Sequence, residues 1–397
     1  MPSPMHGEIA VIGASVAGVA AADELRRLGH TGDILLVGDE PHLPYDRPPL
    51  SKGLLTGTIE PGSVYLRERE HYDRQGITLR LGTPAVRLDG RRVKLADGRI
   101  LSPDAVIIAT GARARPFPGG AARDTVVTLR GLDDARRLQR RLTPGTAVVV
   151  VGAGFIGGEV AASLRELGLK VTLVEAAPLP LAQLAGEDAA AAILRAHVEA
   201  GIRVLCGTPV EGIEWAGDRE RIILADGRQV DGDLVVVGLG AIPNTEWLAD
   251  SGLDIGNGVR CDATGATGLP GVYAIGDVAS WHDPKLGRHI RHEHWTSARE
   301  QARIAAAHVL GLEPAPSPTG GVPYFWSDQH GRRIQSLGHP ELADESHVVH
   351  GSLDGDSFVV LYGRSGTVIG AVGYNAAAQL MRHRAAIATS APLPTRA

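Results

Sequence analysis

The sequence predicts an α/β fold: two copies of one strand–turn–helix–strand unit, followed by a smaller α+β part. Three observations lead there. The chain has 397 residues, 44% of them hydrophobic, more than one ordinary core organises. Aromatics are few, at 4%, while Ala, Val, Leu and Gly abound. Small residues suit layered packing of helices on a sheet. And the run of apolar strand, glycine turn, alanine-rich helix and apolar strand occurs twice.

The first copy is EIAVIGASVAGVAAADELRRLGHTGDILLVGDE. Gly13, Ser15 and Gly18 occupy the three positions of G-x-G-x-x-G. The first glycine makes the turn, the second position lets backbone approach a pyrophosphate, and the third packs helix on strand. The helix N-terminus then offers free N–H groups and its dipole to phosphate. Ser15 replaces the middle glycine with a small side chain whose hydroxyl can itself donate to phosphate. Asp39 and Glu40 follow the second strand, where a carboxylate holds ribose hydroxyls.

The second copy is TAVVVVGAGFIGGEVAASLRELGLKVTLVEAA. Gly152, Gly154 and Gly157 fill the pattern, with Phe155 and Ile156 inside the turn, and Glu175 ends the second strand. A carboxylate there accepts from a free 2′-hydroxyl and repels a 2′-phosphate. The following AAPLP supplies no basic residue, so NADH is favoured over NADPH. An enzyme needs NADH once. The first unit is therefore expected to hold a second cofactor with an adenosine-diphosphate half, and FAD is the common one.

Composition excludes other classes. The formal net charge is -5, which does not favour nucleic acid as a partner. Cys206 and Cys261 stand far apart, in no metal or redox spacing. No secretory leader is apparent, and no apolar run is long enough to span a bilayer. A cytoplasmic protein without membrane attachment is expected. His282, His289, His292 and His294 cluster in sequence, but no Cys or well-spaced carboxylate joins them, so no metal site is expected.

The segment PHLPYDRPPLSKGLL is a poor helix interior and a poor central strand, yet it carries Arg47, Ser51 and Lys52. With VIIATGARARPFPG, LVVVGLGAIPNTEWL, GVYAIGDVAS, RHEHWTSAREQA and PYFWSDQHGRRIQSLG, and with both glycine units, it gives the chain a resemblance over nearly its whole length. The chain resembles the FAD-dependent NADH:ferredoxin reductases of bacterial oxygenase systems. These are the putidaredoxin reductase and rhodocoxin reductase type of pyridine nucleotide-disulfide oxidoreductase, which lack redox cysteines.

The resemblance implies a glutathione-reductase-like fold: two Rossmann-like domains plus a C-terminal α+β domain. It implies an FAD-binding domain at residues 1–112 and 242–318, an NADH-binding domain at 113–241, and the C-terminal domain at 319–397. FAD would contact Gly13, Ser15, Ala17, Gly18, Asp39, Arg47, Lys52, Ala85, Ala109, Thr110, Gly111, Arg130, Asp277 and Trp295. NADH would contact Gly152, Gly154, Phe155, Ile156, Gly157, Glu159, Glu175 and Gly240. Lys52 and Glu159 are the catalytic candidates. The prolines stiffen their segment, so Lys52 would present its ammonium to the flavin and favour the reduced ring. Arg47 would assist or contact the pyrophosphate. Glu159 would place a carboxylate near the nicotinamide. Trp326 would lie near the flavin or in the core.

Thiol-using relatives carry a redox cysteine in the Lys52 region, and none stands there. Reduced flavin must therefore pass electrons outward. The expected function is transfer from NADH through FAD to a 2Fe-2S ferredoxin that feeds an oxygenase. The alternative is an NADH oxidase or a flavin reductase of a small molecule such as nitrite. A non-enzymatic role like that of apoptosis-inducing factor would call for a basic surface or a long extra segment, and neither is evident. Arg288, Arg291, Arg332 and Arg333 are candidates for docking an acidic ferredoxin. A monomer and a homodimer are both open. LEPAPSPTGGVP reads as a linker, and the tail TSAPLPTRA is expected to be disordered.

Overall fold

The computed structural model describes residues 7–119 and 123–394. The chain forms two compact units. One comprises Met1–Asp46, Val64–Arg113 and Ile242–Ser317; the other comprises Arg47–Ser63, Ala114–Ala241 and Pro318–Ala397. The proline-rich segment from Arg47 and the C-terminal sheet thus belong to the unit that holds the second glycine turn.

In the first unit, β1 (Ile9–Ile12) leads into α1 (Val16–Arg27) and β2 (Ile34–Val37). β1 pairs in parallel with β2 and with Ala105–Ile108; Ile77–Arg80 and Val272–Ala274 complete five strands. Every residue of β1, β2 and Ala105–Ile108 is buried. Unbroken aliphatic runs, without polar alternation, are what a parallel sheet covered on both faces demands. α1 packs against the helix Trp295–Val309. Their buried surfaces are rich in alanine: Ala17, Ala21 and Ala22 on one, Ala298, Ala302, Ala305 and Ala306 on the other. The glycine turn is tight because nothing else fits. Gly13 has φ +121°, and a Cβ there would fall 2.0 Å from Ala109 O.

In the second unit the same order returns as β3 (Ala147–Val151), α2 (Phe155–Glu166) and β4 (Lys170–Val174), followed by α3 (Ala182–Glu199). β3 lies between β4 and Leu234–Val237, with Arg203–Leu205 and Val126–Thr128 at the edges. Gly152 has φ +98°, and a Cβ there would meet Gly238 O at 2.4 Å. The two turns are one geometric solution used twice.

The C-terminal part is a five-stranded antiparallel sheet that begins with β5 (Tyr324–Gln329) and β6 (Arg332–Gly338). Thr367–Tyr374, Phe358–Arg364 and Glu345–Gly351 follow outward from β6. Phe358 and Tyr374 stack at 5.1 Å in its core. The expected disorder of the tail is corrected for the described residues. Val368 N–H donates to Ala391 O and Leu393 N–H donates to Gly366 O, because the hairpin there has backbone groups left to pair. Thr395, Arg396 and Ala397 lie outside the described residues. Among the described residues, no helix is long and apolar enough to cross a membrane.

One buried contact makes stability depend on pH. His330, at φ 53° in the turn after β5, places Nε2 2.9 Å from Nδ1 of His197 on α3. Burial, and then repulsion from His330, pushes His197 down to about 3; burial and Arg332 push His330 down to about 4. The unfolded chain takes up these protons near pH 6.5 and the folded chain does not, so their contribution is whole above that pH. It is lost as pH falls toward 4. At pH 5, His197 alone should cost about 2 kcal/mol. Thermal unfolding should show the melting temperature dropping between pH 7 and pH 4.5, and His197→Gln with His330→Gln should flatten that slope.

Candidate functional site

The first glycine turn has what a dinucleotide needs. Ser15 stands in extended backbone before α1 and makes no side-chain cap to the helix, so α1 begins without a side-chain cap. Asp277 sits in the single turn Gly276–Val278. A Cβ on Gly276 would fall 2.9 Å from Ala17 Cβ, so this turn packs onto the start of α1 and brings Asp277 beside it. Ala109 lies against Gly13. Asp39 follows β2, and Thr83 N–H donates to Gly38 O, which carries the strand beginning at Ala85 past the same strand end. Glu40 accepts from the Tyr45 hydroxyl at 2.5 Å. Thr110 Oγ1 donates to Asn244 O, Asn244 Nδ2 donates to Thr110 O, and Asn244 N–H donates to Gly111 O. These bonds clasp the outgoing chain to the returning one. Trp295 donates its indole N–H to Asp46 at 2.8 Å, beneath the Arg299 guanidinium.

Three residues assigned to FAD from sequence, Arg47, Lys52 and Arg130, lie in the second unit. Arg47 Nη1 donates to Arg130 O at 2.6 Å, so two of them meet.

The second turn shows space for a pyrophosphate. A Cβ on Gly154 would meet nothing within 4 Å, so the approach to the α2 N-terminus is open. Phe155 packs edge-to-face on Phe325, while Ile156 is 40% exposed. Glu175 accepts from Ala153 N–H at 2.6 Å and Ala177 N–H at 2.8 Å. The carboxylate is thereby pinned against the glycine turn, where a ribose diol would reach it. Gly240, at φ +85°, follows the strand Leu234–Val237, and its carbonyl accepts from Arg115 N–H. The residues of both turns fit the two dinucleotides they are assigned.

Around Glu159 the structure gathers side chains that are remote in sequence. Glu159 projects from α2 and is 3% exposed. Its Oε2 pairs with Lys52 Nζ at 2.7 Å and accepts from Ser51 Oγ at 2.5 Å. Its Oε1 accepts from Ser327 Oγ, on β5, at 2.8 Å. One helical turn on, Ser163 donates to Ser51 O at 2.7 Å. Residues four apart on a helix share a face, so Glu159 and Ser163 grip one residue by side chain and backbone together. Lys52 Nζ also reaches Pro48 O at 3.2 Å. A buried carboxylate persists only when charge and hydrogen bonds compensate it, and this one has both. Sequence reading named Lys52 and Glu159 separately and missed Ser163, Ser327 and Gln329. The spacings were available: Glu159 and Ser163 at i and i+4, Ser327 and Gln329 at alternate positions of one strand face.

Three of the four candidate docking arginines carry compensated charges. Arg291 pairs with Glu293 at 2.6 Å, Arg333 with Asp328 at 2.7 Å, and Arg332 with Asp356 at 3.2 Å. Arg288 lies exposed on its strand. The histidines form two pairs rather than a cluster: His282 faces His289 across a hairpin, and His292 lies near His294. No group of three metal-ligating side chains occurs among the described residues. Burial pushes the Cys206 thiol up to about 11 and the Cys261 thiol up to about 12, so neither is a ready thiolate. Trp326 is half-buried and stacks on Tyr324 at 6.0 Å.

The chain matches the family described as pyridine nucleotide-disulphide oxidoreductase over residues 7–302, and reductase C-terminal over 324–397. It is 38% identical to rhodocoxin reductase of Rhodococcus erythropolis, over 97% of this chain and 90% of that one. It is 39% identical to the ferredoxin reductase component of chlorobenzene dioxygenase from Cupriavidus sp. (strain PS12), over 96% and 94%. The crystal structure of the covalent putidaredoxin reductase–putidaredoxin complex aligns with a TM-score of 0.93 at 34% identity, covering 98% of this chain and 94% of that one. With two glycine turns of one geometry, a C-terminal antiparallel sheet and these relatives, the chain belongs to the pyridine nucleotide-disulphide oxidoreductase family.

Proposed function

We propose that this protein is an NADH-dependent FAD oxidoreductase that passes electrons to a 2Fe-2S ferredoxin serving an oxygenase. The observation that carries the reading is the ion pair between the buried Glu159 and Lys52, which stands in the segment where thiol-using members of the superfamily keep a redox cysteine. Residues 1–112 and 242–318 are read as the FAD-binding domain, 113–241 as the NADH-binding domain and 319–397 as the C-terminal domain. Relatives named as ferredoxin reductase components and a structural neighbour solved with its ferredoxin support the same assignment.

FAD held there would supply two-electron chemistry toward a nicotinamide and single-electron chemistry toward an iron–sulfur acceptor. The chain's own residues bind, orient and bias. The N-terminus of α1, with Ser15 and Asp277, would hold FAD; that of α2 would hold the pyrophosphate of NADH, and Glu175 would take its adenosine ribose. Lys52 would supply a positive charge that favours the electron-rich reduced ring of a flavin. Glu159 keeps Lys52 in one place and presents carboxylate oxygen to the nicotinamide. No dedicated acid or base is required for hydride transfer. With no reactive thiol to receive them, electrons leave for a docked partner. Arg288, exposed on its strand, is the docking candidate among the four arginines, because carboxylates take up the charges of Arg291, Arg332 and Arg333.

Three measurements check this reading. In stopped flow the yellow protein should bleach with NADH far faster than with NADPH, and cytochrome c reduction should depend on added 2Fe-2S ferredoxin. Rapid oxygen consumption with no response to ferredoxin would favour an oxidase instead. Glu175→Gln combined with Ala176→Arg should lower the NADH:NADPH ratio of kcat/KM by about tenfold or more; an unchanged ratio would remove Glu175 from the ribose site. Lys52→Ala should lower the flavin potential and slow hydride transfer by about tenfold, with a lower melting temperature because Glu159 loses its counter-ion. Normal potential and rate would leave Lys52 a purely structural charge.

A further inference from the structure

We propose that Ser327 and Gln329 are positioning residues for Glu159, and that they determine which carboxylate lone pair remains for the carboxamide of a bound nicotinamide. This rests on the reading of Glu159 given above. An ionised carboxylate has about four acceptor positions. On Glu159, Ser51 and Lys52 occupy Oε2, and Ser327 occupies one position on Oε1. One position on Oε1 is left, and its direction depends on how Ser327 holds the group.

Ser327 has one proton to give. It is 0% exposed, and Gln329 Nε2 donates to its oxygen at 3.0 Å. With that amide nitrogen facing Ser327, the hydroxyl proton has only the carboxylate to go to. The opposite amide orientation would set an oxygen against Ser327, and two acceptors would compete for one proton. Gly158 makes room for the arrangement. A Cβ at that position, one residue before Glu159, would fall 2.7 Å from Gln329 Nε2 and 2.9 Å from its Oε1. The Gln329 amide thus lies across α2 where a side chain is missing. Lys52 is the charged group in contact with Glu159. Beyond Gln329 stand His197 of α3 and His330, both held neutral by burial.

Titration calorimetry on the oxidised holoprotein separates positioning from general support. Two ligands are compared: tetrahydro-NAD, an NADH analogue that cannot give up a hydride, and ADP-ribose, which lacks the nicotinamide. Ser327→Ala should weaken tetrahydro-NAD by about fivefold, the worth of one hydrogen bond, and leave ADP-ribose unchanged. Ser327→Thr should restore tetrahydro-NAD binding. Gln329→Met, which keeps the bulk and loses the donor, should give a smaller loss of the same selectivity, and it carries the test if Ser327→Ala does not fold. Equal weakening of both ligands, or a threonine variant no better than alanine, would overturn the proposal. Glu159→Gln tests the underlying reading. If it fails to discriminate between the ligands, Glu159 does not serve the nicotinamide. If it discriminates and neither Ser327→Ala nor Gln329→Met does, only the positioning role falls.

Discussion

A carboxylate taken almost wholly out of water is the demand around which the second unit is arranged. Desolvating such a group costs several kcal/mol, and that cost is offset only where donors converge. Glu159 draws them from three places: the ammonium and hydroxyl of the proline-rich segment, the hydroxyl of β5, and, through Ser51, a second hydroxyl on its own helix. Each donor is itself anchored. Arg47 holds its segment to Arg130, and Gln329 holds Ser327. The charged pair is therefore a fixed electrostatic element rather than a mobile surface contact, and fixed dipoles and charges are what stabilise developing charge without reorganisation.

Backbone geometry imposes the second constraint. In both glycine turns the first glycine adopts a positive φ and lies against the carbonyl of a neighbouring strand, so no side chain fits. The turn delivers a helix N-terminus to the strand ends, and the aliphatic strands beneath are buried on both faces. At the far end of each second strand a carboxylate follows, Asp39 in one unit and Glu175 in the other. Repeating this device lets one chain carry two dinucleotides, one a resident cofactor and the other a substrate. No cysteine stands in the Lys52 segment to relay electrons through sulfur, and burial keeps Cys206 and Cys261, elsewhere in the chain, as weakly acidic thiols.

The glycine spacing, the strand-terminal acids and the missing thiol were legible in the sequence because each is a local pattern: a turn, a helix start and a strand end are set by residues a few positions apart. Sequence alone therefore determined the two dinucleotide units and the pair of cofactors they suit, FAD and NADH. What surrounds Glu159 was decided only by the tertiary structure. Ser51 and Ser327 stand 108 and 168 residues away from it in sequence, and no spacing rule joins positions so distant. The charges of Arg291, Arg332 and Arg333 likewise read as available in sequence, yet folding gives each a carboxylate partner. Local conformation follows from neighbours along the chain, whereas the compensation of a buried charge depends on whichever groups packing brings within a few ångströms.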